Sequence, residues 1–177
     1  MPGIGIHHTQ MDTPQNNTDV YERIISFLDG HEVSYQTMQH APTATSQEAA
    51  QIRNTPLETG AKALVLKLYG GKHAGFVLVV FPANRKFDSK KLKNVAGAKK
   101  SRFASKEELM ELTALVPGSV PPFGHPILPL SLFVDPLLVE QNEIISFNAG
   151  MLTRSVVMQS ECYRRIVNAE FASLSRE

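Results

Sequence analysis

Apolar positions along this chain recur at helical spacing in a few short stretches and run continuously or alternate in several others. Val20, Ile24, Phe27 and Leu28 fall on one helical face, and Gly30 ends that helix. Val33–Gln39 reads as a strand, followed by a loop, His40-Ala41-Pro42-Thr43-Ala44-Thr45. Thr45-Ser46-Gln47-Glu48 has capping-box spacing and predicts a short helix to about Arg53. Ala63–Leu68 and Gly75–Phe81 predict a hairpin turning at Gly70-Gly71, and unbroken apolarity in Phe76–Phe81 makes its second strand central. Asp88 caps a helix through Val95, stopped at Gly97. A short strand near Ser101–Ala104 and a second capping box at Ser105-Lys106-Glu107-Glu108 come next, opening a helix to about Thr113. Leu130–Asp135, Ile144–Asn148 and Arg154–Met158 read as strands, the last two paired. A closing helix is expected to carry Cys162, Ile166, Val167 and Phe171. Helices mixed with short strands and hairpins predict an α/β or α+β chain rather than a doubly wound parallel sheet.

Composition sharpens this picture modestly. The 177 residues, 42% hydrophobic and 20% charged, suffice for one domain with a core. Residues 1–17 are polar and aperiodic and read as a loose tail, leaving 18–177 as a single domain. Net charge is +1, so a nucleic-acid surface must be local. The one cysteine, Cys162, excludes an intrachain disulfide and fits a reducing cytoplasm. The longest apolar run is too short to span a membrane, and the first residues do not resemble a signal peptide, so no membrane partner is expected.

Four clusters could carry chemistry. Lys62 opens an apolar strand, where a partly buried ammonium is unfavourable unless it meets a ligand or an acid; it reads as a substrate-directed cation or as a lysine snorkelling from the strand edge. The loop Gly118-Ser119-Val120-Pro121-Pro122-Phe123-Gly124 is stiffened by prolines and can aim the N–H groups of Gly118, Ser119, Val120 or Phe123 at an oxyanion, or can be a plain connector. Asn148-Ala149-Gly150 suits a small polar ligand or a tight turn. His40 with Thr43 and Thr45 forms a pocket wall or an ordinary loop. Eight of the 18 basic residues, among them Lys90, Lys91, Lys93, Lys99, Lys100 and Arg102, fall within 21 positions, a phosphate-contact patch or a solvated helix face. No metal-ligand spacing, phosphate loop, dinucleotide fingerprint or persuasive nucleophile–base arrangement is present, so neither metal nor organic cofactor is expected.

In order along the chain, His40-Ala41-Pro42, Lys62-Ala63-Leu64-Val65-Leu66, Gly97-Ala98-Lys99-Lys100, Gly118 with Pro122 and Gly124, and Asn148-Ala149-Gly150 resemble motifs of the YbaK/prolyl-tRNA synthetase-associated editing domain family. The resemblance implies a YbaK-like fold, a central mixed and mostly antiparallel sheet flanked by helices. It implies a trans-editing aminoacyl-tRNA deacylase that hydrolyses the ester of mischarged tRNA, with tRNA-Pro or a related tRNA carrying a small amino acid as the substrate. Lys62 would hold the 3′ end, the Gly118 loop would bind the reacting carbonyl, and His40, Thr43, Thr45, Ser119, Val120, Pro122, Gly124, Asn148 and Gly150 would line the substrate site. Water or a substrate hydroxyl or thiol would attack. Arg154 and Ser155 stand where some relatives carry an acidic residue, so the amino acid removed stays open. The competing readings are a non-catalytic module that senses an amino acid or docks on a synthetase, and a hydrolase of a different small ester or amide.

Overall fold

In the computed structural model, which describes residues 17–177, the first element is α1, Asn17–Gly30, whose Val20, Ile24 and Leu28 are buried. The expectation of a tail over residues 1–17 lies, Asn17 apart, outside the described residues. Strand β1, Tyr35–Gln39, leads into α2, Ser46–Arg53, whose N-cap Thr45 accepts from the Glu48 N–H. The reciprocal bond of this box is displaced by one residue, because Glu48 Oε2 accepts from the Ala44 N–H at 2.8 Å.

The hairpin forms as β2, Ala61–Tyr69, and β3, Gly75–Pro82. The short strand β4, Lys86–Phe87, precedes α3, Ser89–Ala96, capped by Asp88 and closed by Gly97 at φ +64°. Strand β5, Lys100–Phe103, and helix α4, Lys106–Thr113, follow, the latter opened by the full Ser105/Glu108 capping box. After the Pro/Gly loop come β6, Ser131–Val134, α5, Leu137–Glu140, β7, Ile144–Asn148, β8, Arg154–Gln159, α6, Ser160–Ile166, β9, Ala169–Phe171, and β10, Ser175–Arg176.

Five strands join in the order β5-β2-β3-β6-β9, antiparallel from β5 to β3 and parallel from β3 to β9. The central position of β3 explains its unbroken apolarity. Leu78 and Val80 enter the larger core with α1 and the β7–β8 pair, while Val77, Val79 and Phe81 enter a second core under Leu92 and Ala96 of α3. A separate antiparallel sheet has the order β1-β8-β7, and the bridge Gly60–Ser146 ties it to the start of β2. The fold is therefore mixed α+β with mostly antiparallel pairing, as expected.

The closing helix is shorter than the apolar pattern predicts. It ends at Ile166, and Phe171 sits instead in β9, alongside Val134 of β6. The outer edge of β6 would otherwise leave its backbone groups unpaired beside Leu132, Phe133 and Val134, all buried, and that demand outweighs helical periodicity. The C-terminus is held by the buried Asp135 carboxylate, which accepts from the N–H groups of Leu174 and Ser175 and from the Ser175 hydroxyl. Among the described residues no helix is long and apolar enough to cross a membrane.

Candidate active site

An open pocket of about 410 Å³ lies where the start of α2, the start of β2, the end of β7 and the loop after α4 converge. Much of its wall is alanine and glycine (Ala44, Ala49, Ala50, Gly60, Ala61, Ala63, Ala83), and these missing side chains make the room. Thr43, Thr45, Lys62, Gly118, Val120 and Asn148, which the family resemblance assigns to the substrate site, all line this wall. The lining contains two cations, Lys62 and Arg53, and no carboxylate.

Lys62 is exposed, not partly buried as its place in an apolar strand suggests. It stands at the second residue of β2, opposite Phe81, where the strand has only just entered the sheet. Its ammonium therefore remains hydrated while facing the pocket.

Sequence reasoning missed Arg53, the last residue of α2. It is only 8% exposed, the one buried arginine or lysine among the described residues. Its Nε donates to Ser155 Oγ at 2.8 Å and its Nη2 to Asn148 Oδ1 at 2.8 Å; Nη1 makes a longer contact of 3.4 Å with Ser146 Oγ. No carboxylate pairs with it among the described residues, and burial pushes its pKa down to about 10. The available signal was positional. Ala49, Ala50 and Arg53 share the buried face of α2, so a long cation occupies an apolar-facing position that two small residues leave open.

Behind Arg53, His40 Nδ1 donates to the Ala41 carbonyl at 2.8 Å, and Nε2 lies 2.7 Å from Ser155 Oγ. His40 thus buttresses the network and does not reach the pocket wall. In front, Asn148 Nδ2 donates to the Gly118 carbonyl at 2.8 Å, which fixes the amide with its oxygen toward Arg53.

The loop has a definite hydrogen-bond logic. The Gly118–Ser119 peptide is clamped at both ends: its carbonyl by Asn148 and its N–H, from Ser119, by the Val116 carbonyl at 3.1 Å. The Ser119 N–H, one of the anticipated oxyanion donors, is therefore already spent. The next carbonyl, of Ser119, accepts from the Gly150 N–H at 3.0 Å. In a trans peptide the N–H points opposite to its C=O, so this bond sets the direction of the Val120 N–H. The N–H groups of Gly118 and Val120 have no acceptor among the described residues, and both residues line the pocket. Gly118 sits at φ +85°, a left-handed conformation that glycine adopts without strain.

Ser119, Pro122, Gly124 and Gly150 lie off the pocket wall. The Pro122 carbonyl accepts from the buried Tyr163 hydroxyl at 2.7 Å. Gly124 packs so tightly on the Leu130 carbonyl that a Cβ would collide with it. Gly150, at φ +80°, abuts Val20 of α1. These residues hold the loop from behind.

Of the basic group, Lys91 Nζ donates to Ser173 Oγ and the Ser175 carbonyl, and Arg102 is bonded to Tyr69 Oη and to both carboxylate oxygens of Glu108. Lys90, Lys99 and Lys100 are exposed, and Lys93 is partly so. By strand alternation Lys62 shares the sheet face of Leu64, Leu66 and Leu68, the face that α3 covers.

A pocket with two cations and two backbone N–H groups that lack an acceptor among the described residues, set on this mixed sheet, accords with the aminoacyl-tRNA editing domain family. The chain belongs to that family: the aminoacyl-tRNA editing domain matches residues 40–166. Among its relatives, the multifunctional Ser/Thr-tRNA deacylase ProXp-y of Escherichia coli K12 is 36% identical over 157 residues, 88% of this chain and 93% of that protein. The prolyl-tRNA editing protein ProX of Acetoanaerobium sticklandii is 31% identical over 106 residues, 60% of this chain and 63% of that protein. Two solved structures share the fold. Hypothetical protein APE2540 has a TM-score of 0.76 at 22% identity, covering 87% of this chain and 99% of its own. A candidate trans-editing enzyme for prolyl tRNA synthetase has a TM-score of 0.75 at 23% identity, covering 89% and 98%. The family that the ordered motifs resemble is thus the family to which the chain belongs.

Proposed function

We propose that this protein hydrolyses, in trans, the ester joining a misattached small amino acid to the 3′ end of a tRNA. The observation that carries this reading is the pocket's charge: two cations and two unspent N–H groups with no acid among its lining residues. Attack of water on an ester places negative charge on the carbonyl oxygen, and fixed donors stabilise that charge more than the neutral ground state. Gly118 and Val120 are the donors to that oxygen. Lys62, exposed at the mouth, neutralises the tRNA 3′ end. Among the described residues no hydroxyl of the lining is hydrogen-bonded to a histidine or a carboxylate, so the rate is assigned to positioning and electrostatics. Exposed Lys90, Lys99 and Lys100, with half-exposed Lys93, offer the acceptor stem a basic surface. Because the Escherichia coli relative is named a Ser/Thr-tRNA deacylase, seryl and threonyl esters head the substrate panel.

The test is hydrolysis of tRNAs charged with Ser, Thr, Ala or Cys by wild type and Lys62→Ala. Release of one or more amino acids by wild type, lost in a Lys62→Ala protein of unchanged melting temperature, is expected. No release by wild type, with tight binding to uncharged tRNA or a synthetase, would replace the enzyme with a binding module.

A further inference from the structure

Arg53 presents a physical question that the catalytic reading leaves open. Burying a guanidinium without a carboxylate is unfavourable, and a structural anchor at this position would be served better by an apolar side chain. Arg53 is nonetheless spread across three side chains on two strands: Ser155 of β8, and Ser146 and Asn148 of β7. Only one of those partners leads onward to the pocket. Asn148, with its oxygen committed to Arg53, has its NH2 free to pull on the Gly118 carbonyl. That carbonyl belongs to the peptide whose N–H is fixed on Val116, so the plane has one orientation. The two free N–H groups of the loop lie on the peptides immediately before and after it.

We propose that Arg53 is a positioning residue: through the Asn148 amide it clamps the Gly118–Ser119 peptide and so sets the aim of the Gly118 and Val120 N–H groups. Without Arg53, the Asn148 oxygen keeps only the longer bond from the Ser155 hydroxyl, at 3.3 Å, its NH2 is held toward Gly118 less firmly, and the loop gains a second peptide orientation. The consequence falls on the transition state rather than on substrate affinity, because the donors reach their full value only when the oxyanion forms. The kinetic part of this inference rests on the deacylase reading; the structural part does not.

The experiment compares wild type, Arg53→Lys, Asn148→Ala and the double variant. Arg53→Lys keeps the charge but cannot span Ser155 and Asn148 together. Expected is a fall in kcat of roughly 10- to 100-fold in each single variant, with KM held within about twofold. The double variant should be no slower than the slower single, because both act through one link. Independent of activity, the Gly118 and Val120 amide resonances and the Asn148 side-chain NH2 pair should shift in the Arg53→Lys 1H–15N spectrum. Unmoved Gly118 and Val120 resonances, multiplicative losses in the double variant, or a loss confined to KM would each overturn the proposal. Should Arg53→Lys fail to fold, Asn148→Ser breaks the same link with Arg53 in place, and unshifted Gly118 and Val120 resonances there are equally fatal. If wild type hydrolyses no ester, the functional reading fails, and the spectra alone still decide whether Arg53 sets the loop.

Discussion

Single residues carry much of this site's geometry, and two of them allow clean tests. Gly118 has a left-handed backbone at φ +85°, and a Cβ there would stand 3.3 Å from Leu152 Cδ2. Gly118→Ala should cost about 1–2 kcal/mol of stability in chemical denaturation and lower kcat further, since the peptide can relieve its strain only by turning its donors. Tyr163, fully buried, serves the loop from the opposite side: its hydroxyl satisfies the Pro122 carbonyl, and burial holds the phenol well above its usual pKa. Tyr163→Phe removes one oxygen and strands a buried carbonyl. It should destabilise the protein by about 1–3 kcal/mol, read as a lowered denaturation midpoint with the deacylase active below it.

At the scale of elements, the join between β5 and α4 is electrostatic. Arg102 donates to both oxygens of Glu108, and the Ser105 N–H donates to the same carboxylate. Together they hold Glu108 down from 4.5 to about 2. The folded carboxyl thus binds its proton less readily than the unfolded one. Its contribution is complete above pH 4.5 and disappears as pH falls through about 2. In acid titrations Glu108→Gln should flatten the loss of stability in that window while the rest of the acid limb persists.

Elements with local punctuation were legible: Asp88 and Gly97 bracket α3, Ser105 and Glu108 open α4, and the apolar run of β3 announces its central place. Strands β4, β9 and β10 were not legible. Each is two or three residues long and exists because a distant edge needs partners, which no local window contains. The same division holds for the site. Lys62, Gly118 and Asn148 sit at strand and loop boundaries, and the ordered motifs that resemble the family single them out. Arg53 closes a helix, where a basic residue ordinarily complements the helix dipole. Only the three-dimensional convergence of β7 and β8 shows its side chain turned inward.

Across the whole molecule, six basic positions suggested by charge clustering divide into two groups. Lys91 is tied to the C-terminal segment and Arg102 to α4, while Lys90, Lys93, Lys99 and Lys100 form no such hydrogen bonds or ion pairs among the described residues. Lys90→Glu with Lys93→Glu should therefore raise KM for mischarged tRNA and reduce the steepness with which log(kcat/KM) falls against log salt. Lys91→Ala should instead loosen the C-terminal strand, seen as faster exchange of the Leu174 and Ser175 amides, with the salt slope unchanged. The pocket's alanine and glycine wall has a consequence of another kind. Its capacity is created by absent atoms on α2, β2 and the turn after β3, whereas its reactive groups come from the 118 loop, Lys62 and the Arg53–Asn148 pair. A methyl added at Ala49 or Ala50 would change which side chain fits without disturbing any donor. The lineage can thus retune what it rejects by trading small residues one at a time, with the chemistry inherited intact.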